Sequence, residues 1–299
     1  MNRNDRKSPF ALMTCAMLIF GTIGIFRRMI PLSSALLACW RGLVGAAFLL
    51  AVQGIRKHSL RFHVSKKQLA GLVVSGVLIG LNWILLFEAY HYTTIATATL
   101  CYYMQPTIVV LLSPVFFRER LTGKKLLCAA AAVAGMVLVS GVAEGGVPQW
   151  SELKGILMGL GAAVLYATVV IMNKRLTGID PYEKTILQLA SAAIALLPYL
   201  LCTEDFSAIQ PEPAVIGCLL VVGLVHTGMA YAMYFGSMER LRAQTVAILS
   251  YIDPLTALLL SALLLHEAMT PLQIAGTVLI LGATVCSELL PERRPKAQN

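Results

Sequence analysis

Long apolar stretches alternate with short polar stretches along nearly the whole chain. A helix needs about 20 apolar residues to cross the hydrocarbon core of a membrane, because its backbone polar groups must bond to one another there. The pattern predicts ten such helices, over residues 10–26, 32–52, 69–87, 97–117, 126–142, 155–172, 185–202, 215–235, 243–265 and 272–289. We therefore predict an all-α integral membrane protein.

The composition supports this class. Hydrophobic residues make up 58% of the chain, charged residues only 13%, and the mean hydropathy is +0.75. These values exclude the surface of a soluble domain. The seven cysteines lie in or beside apolar stretches without metal-ligand spacing, so we expect neither a metal nor a cofactor.

The basic residues fall mostly in every second connection between the ten stretches. Lys and Arg are retained on the cytoplasmic side of short loops. With ten spans, 20 of the 24 basic residues lie on one side, and the exceptions are Arg27, Arg28, Arg41 and Lys154. This places both termini in the cytoplasm and the chain in the cell membrane. The net charge of +9 follows from the same rule and does not indicate nucleic-acid binding.

The chain repeats itself at an offset of 148 residues. Tyr103, Pro106, Ser113, Glu119 and Thr122 recur as Tyr251, Pro254, Ser261, Glu267 and Thr270. We predict two five-helix halves, residues 1–147 and 148–299. Because five is odd, the second half enters the membrane in the opposite orientation, as in carriers that work by alternating access.

These residues resemble the EamA-type permeases of the drug/metabolite transporter superfamily. The resemblance rests on residues 106–122 and 254–271, with support from residues 87–90, residues 96–98 and Arg41. It implies that the third, fourth, eighth and ninth helices border a central cavity. It also implies export of amino acids or related small metabolites from a bacterial cytoplasm.

Asp253 lies near the middle of the ninth span, where a carboxylate is costly unless it faces water or a partner. Pro254 breaks the helix beside it and frees a backbone carbonyl. Gln105 and Pro106 are the equivalent pair in the first half. We predict a substrate site at these two breaks; the alternative is a kinked helix with Asp253 bonded to a neighbour.

Aromatic residues near the same depth could add stacking or cation–π contacts to the site. Simple packing is the alternative for each of them. They are Tyr102, Tyr103, Trp83, Tyr231 and Tyr251.

Two further ionisable residues lie inside predicted spans. Arg41 requires a negative partner, for which Asp253, Glu88 or a substrate carboxylate are open choices. His226 is suited either to proton exchange or to a neutral structural hydrogen bond.

Glu119 and Glu267 end the fourth and ninth spans and are each followed three residues later by a threonine. This spacing suits a turn in which Thr122 or Thr270 caps the next helix, with Pro271 at a first helical position. We interpret both glutamates as structural.

A secondary carrier of a small molecule is the function that these features favour. No phosphate-binding loop sequence is present. A membrane-embedded enzyme and a sensory or structural protein are the alternatives. Protons are one candidate coupling ion, and the sequence leaves the substrate and the oligomeric state open.

The charge pattern makes a direct prediction about topology. A reporter that fluoresces only in the cytoplasm should be bright when fused at Asn299 and dark when inserted between Glu204 and Glu212. The opposite pair of signals would contradict the ten-span arrangement.

Overall fold

A computed structural model describes residues 3–57, 62–117, 121–140, 143, 149–206, 212–238, 240–241 and 243–289. Over these residues the chain forms α-helices, one π-helical segment and short connections, without a strand. The elements are α1 (Arg3–Gly21), α2 (Ile23–Met29), α3 (Ser34–Lys57), α4 (Lys66–Tyr92), α5 (Ile95–Tyr102), α6 (Gln105–Phe117), α7 (Gly123–Val139), α8 (Trp150–Arg175), α9 (Pro181–Thr203), α10 (Pro213–Leu220), the π segment (Val221–Met229), α11 (Ala230–Met238), α12 (Ala243–Ser250), α13 (Ile252–Leu264) and α14 (Pro271–Leu289).

The helices overlap the predicted membrane stretches, and several of them extend beyond the predicted ends. Among the described residues, seven helical segments are long and apolar enough to cross a membrane: Pro9–Met29, Ser34–Ile55, Lys66–Tyr92, Ile95–Phe117, Trp150–Arg175, Pro181–Thr203 and Pro213–Met238. The predicted fifth, ninth and tenth spans correspond to the shorter helices α7, α12 with α13, and α14. The protein is therefore an all-helical, multi-pass membrane protein, and the count of ten remains a prediction.

Polar side chains fix where several helices begin. Thr122 accepts a hydrogen bond from the Lys125 backbone N–H at 3.3 Å, and Thr270 accepts one from the Gln273 N–H at 3.2 Å. Each threonine thus satisfies a backbone donor that the first turn of a helix leaves free. The two predicted caps are confirmed, and Pro271 begins α14.

Two spans are broken at positions 148 residues apart. The helical path is interrupted at Tyr103 and Met104 between α5 and α6, and at Tyr251 between α12 and α13. Pro106 and Pro254 then lie in the first turn of α6 and α13, where a missing N–H is tolerated. Both breaks lie inside predicted spans, and at the first of them the Tyr103 and Met104 N–H groups still bond to the Thr99 and Cys101 carbonyl oxygens, at 2.9 and 3.2 Å.

Packing between helices also follows the offset of 148. Gly80 of α4 lies against Leu196 of α9, and Gly228 of the π segment lies against Phe48 of α3. Gly228 and Leu196 stand 148 residues after Gly80 and Phe48, so these are the same contact with the roles of the halves exchanged. Helix α3 likewise packs on α9, and α7 on α14. A boundary at residues 147 and 148 remains a prediction, and both residues lie outside the described part of the chain.

The crossing of α7 and α14 depends on two glycines. A Cβ added to Gly276 would lie 2.9 Å from side-chain carbons of Leu138 and Val139, and one added to Gly135 would meet the backbone of Gly276. Small residues allow such close approach between membrane helices. Farther along α14, a Cβ on Gly282 would meet nothing within 4 Å.

The surroundings of Gly276 and Gly282 predict opposite effects on the stability of the protein when each glycine is replaced by alanine. Gly276→Ala should destabilise the protein by about 1–3 kcal/mol through overpacking. Gly282→Ala should be neutral or slightly stabilising, because alanine is the better helix former. Thermal unfolding of both purified variants tests this, and equal midpoints would show that α7 and α14 do not cross at Gly276.

Candidate substrate site

The two broken helices meet through Tyr103 and Asp253. The Tyr103 hydroxyl donates a hydrogen bond of 2.7 Å to Asp253 Oδ2. Tyr103 lies at the break after α5, and Asp253 lies in the first turn of α13, where the helix dipole favours a negative charge. The sequence had aligned Asp253 with Gln105, which begins α6 two residues after Tyr103. The structure thus joins the two breaks by a bond between a residue of each half.

A second tyrosine extends this contact towards α8. The ring of Tyr102 lies 6.0 Å from that of Tyr103 and 5.6 Å from that of Tyr166, between centroids. Tyr166 was not among the predicted site residues. Its position as the one aromatic residue of α8 after Trp150 was the available signal.

Arg41 is held by a hydroxyl and two aromatic rings. Its side chain is buried, and its Nε–H donates to Thr227 Oγ1 at 3.1 Å. The guanidinium carbon lies 4.2 Å from the Trp83 ring centroid and 5.4 Å from that of Phe87, within range for cation–π attraction. Of the partners considered for Arg41, neither Asp253 nor Glu88 forms an ion pair with it within the described residues.

The sequence offered no signal for Thr227, because threonines are common in apolar helices. Arg41 and Asp253 nevertheless share three neighbouring tyrosines. Each charge lies within electrostatic reach of the hydroxyls of Tyr90, Tyr102 and Tyr231. The structure therefore places a cation and an anion around one set of tyrosines without pairing them directly. This arrangement is the candidate substrate site.

The repeat mates Trp83 and Tyr231 make different contacts. Trp83 stacks on Arg41, whereas Tyr231 lies 5.3 Å from Phe20 and 5.9 Å from Phe235 between ring centroids. Tyr231 thus belongs to an aromatic cluster with Phe20 and Phe235. Tyr251, the mate of Tyr103, is buried at the second break.

His226 contacts the first span. Its Nε2 lies 2.7 Å from Thr22 Oγ1, at the break between α1 and α2, and its ring packs 4.8 Å from that of Phe26. The Nδ1 atom lies 3.3 Å from the Val221 carbonyl oxygen. Both ring nitrogens are therefore engaged with the protein, as in the structural alternative for this histidine.

Glu267 connects three helices at one end of the molecule. Its Oε1 pairs with Arg28 at 2.8 Å, and its Oε2 accepts hydrogen bonds from the Ile95 backbone N–H at 2.9 Å and from the Ser261 hydroxyl. These contacts join α2, the start of α5 and α13. Glu119, the mate of Glu267, lies outside the described residues.

Comparison with known proteins agrees with the fold. The model of the EamA-like transporter family matches residues 8–141 and again residues 153–288. A protein of Bacillus subtilis (strain 168), "Uncharacterized transporter YxxF", is 27% identical over 300 residues, covering 99% of this chain and 94% of that protein. A "Probable amino-acid metabolite efflux pump" of Salmonella typhimurium is 31% identical over 62% of this chain and 64% of its own length.

A solved crystal structure shares the architecture. It has a TM-score of 0.65 and 20% sequence identity, over 94% of this chain and 96% of that one. At that identity the likeness shows the fold alone. The tandem family match extends over most of the chain, including both broken helices, and so this protein belongs to the EamA-like transporter family.

Proposed function

We propose that this transporter exports small zwitterionic metabolites, such as amino acids and related amphipathic solutes, from the cytoplasm by alternating access. The observation that carries the proposal is the placement of Arg41 and Asp253 around Tyr90, Tyr102 and Tyr231 without an ion pair between them. A buried charge without a counter-charge is costly, and a zwitterion would supply both missing partners at once.

Arg41 is the proposed receptor for a carboxylate. Its Nε is bonded to Thr227, and its two Nη atoms make no hydrogen bond within the described part of the chain. Two parallel N–H donors match the two oxygens of a carboxylate, which makes such pairs strong and geometrically selective. The stacked ring of Trp83 holds the plane of the guanidinium in place.

Asp253 is the proposed receptor for the ammonium group. One of its oxygens accepts the Tyr103 hydroxyl, which leaves acceptor positions on the carboxylate for a cation. The faces of nearby tyrosines attract cations as well. The apolar part of the solute would then lie among the rings, which would favour amphipathic molecules.

The direction of transport rests on the relatives. The protein of Salmonella typhimurium that matches 62% of this chain is named as a probable efflux pump for amino-acid metabolites. Export of a similar class of solute is the proposal that this similarity supports for the present chain.

Alternating access would require α5 and α13 to separate. Where α5 ends and α13 begins, the hydrogen bond between Tyr103 and Asp253 joins them. Where α5 begins and α13 ends, the hydrogen bond from the Ile95 N–H to Glu267 Oε2 joins them. Opening the molecule at that end breaks both bonds. Asp253 takes part in one of them, which makes a proton a candidate coupling ion that competes with Tyr103 for the same carboxylate.

Exchange of labelled amino acids across proteoliposomes tests the substrate class. With the full chain reconstituted, a panel of the twenty common amino acids should show counterflow for at least one member. Asp253→Asn should lower its rate by about tenfold or more, since a barrier change of 1.4 kcal/mol has that effect. Asp253→Glu keeps the charge and is the matched control. Failure of every amino acid to exchange contradicts the proposed class.

Thermal unfolding tests whether the two charges act separately. Because Arg41 contacts Trp83, Phe87 and Thr227 and not Asp253, we expect the changes in midpoint of Arg41→Gln and Asp253→Asn to add in the double variant. A double variant that regains the stability lost in either single variant would reveal a direct ion pair between Arg41 and Asp253.

A further inference from the structure

Thr227 donates one hydrogen bond within its own helix and accepts another from Arg41. Its hydroxyl donates to the Val222 carbonyl oxygen at 3.0 Å. The single hydroxyl proton is therefore used, and the oxygen lone pairs are left to accept the Arg41 Nε–H at 3.1 Å. Thr227 has no exposed surface, and Arg41 is 4% exposed. Water therefore has little access to either partner of this bond.

The π segment brings Thr227 into this position. The bond from Thr227 to Val222 spans five residues, whereas Thr256, Thr277 and Thr284 each bond to a carbonyl four residues earlier. His226 likewise contacts the carbonyl of Val221, five residues earlier. π-Helical turns are rare and occur frequently at functional sites. Here the wider turn sets the direction in which the Thr227 side chain leaves the helix.

Helix α3 provides matching space for Thr227. Gly45 lies four residues after Arg41 and hence on the same face of α3. A Cβ added to Gly45 would lie 3.1 Å from the Thr227 Cβ, and closer still to its methyl carbon. The missing side chain at Gly45 thus allows the threonine to reach Arg41.

We propose that Thr227 is the positioning residue for Arg41, which it fixes for end-on recognition of a substrate carboxylate. An arginine can bind a carboxylate through its two Nη atoms or through Nε and one Nη. Thr227 occupies Nε, so only the Nη pair remains for the substrate. This proposal rests on the proposed role of Arg41 as a carboxylate receptor and adds a residue that determines its geometry.

Binding of three matched probes to the full-length protein tests this role. The probes are L-leucine, 4-methylpentanoate, which lacks the ammonium group, and 3-methylbutylamine, which lacks the carboxylate. Thr227→Val keeps the shape of the side chain and removes the hydroxyl. By calorimetry it should weaken binding of the two carboxylates by about tenfold, typical for a hydrogen bond to a charged group, and change amine binding by less than about twofold.

Further variants separate the hydroxyl from its surroundings. Thr227→Ser should restore carboxylate binding to within about threefold of the natural protein, because it keeps the acceptor oxygen. Thr227→Ala is a second hydroxyl-free variant for use if Thr227→Val does not fold. Thr284→Val removes a buried threonine hydroxyl that bonds only within α14, and should leave all three affinities unchanged.

A measurement without any probe isolates the bond itself. In protein labelled with ¹⁵N-arginine, the Arg41 Nε–H resonance, assigned by its loss in Arg41→Lys, should exchange slowly with water in the natural protein and in Thr227→Ser. In Thr227→Val its exchange should be faster by about tenfold or more, because the acceptor is gone.

The outcomes distinguish the two proposals. If another amino acid of the exchange panel is the one transported, that amino acid and its deaminated and decarboxylated analogues replace the leucine set. If the natural protein binds no such set and no amino acid of the panel exchanges, the proposed substrate recognition by Arg41 is wrong, and so is the role of Thr227 in it. If the probes bind but Thr227→Val weakens amine and carboxylates equally, or leaves the Nε–H exchange unchanged, the positioning role of Thr227 alone is wrong.

Discussion

The absence of water from the hydrocarbon core is the constraint on which this structure depends. Every backbone polar group must find a partner inside the protein, and a charge without a partner is costly. Over the described residues, the chain meets this constraint with nearly continuous helix. The regular helix is interrupted or distorted at a few positions. The departures at Tyr103, at Tyr251 and in the π segment coincide with the side chains that form the candidate site. These three irregular segments thus lie at the candidate site.

Close packing between helices offsets the energetic cost of these departures from regular helix. Gly45, Gly80, Gly228 and Gly276 each lie against a neighbouring helix at a distance that leaves little or no room for a side chain. The same helix contacts recur with the roles of the two halves exchanged. The packing of α4 on α9 corresponds to the packing of the π segment on α3. A framework of this kind keeps Trp83, Phe87 and Thr227 in fixed positions around Arg41.

The sequence predicts the class of fold better than the contacts within the candidate site. The length of the apolar stretches suffices to predict a multi-pass helical protein, because it follows from transfer energies alone. The offset of 148 and the two prolines predict the broken helices. Three features escape such arguments. The Tyr103–Asp253 bond needs the angle at which the halves meet, and the π segment has no compositional signature. The Thr227 contact depends on both the π register and Gly45.

The bond between Tyr103 and Asp253 has a further consequence when it is considered together with its repeat mates. Exchanging the halves would replace it with Tyr251 and Gln105, a tyrosine facing an amide instead of a carboxylate. Under the proposed alternating access, a closure through Tyr251 and Gln105 would hold no ionisable carboxylate, whereas the one through Tyr103 and Asp253 does. Changes in pH would then act directly on one closure and not on the other, so the two orientations of such a carrier would differ in their response to acid.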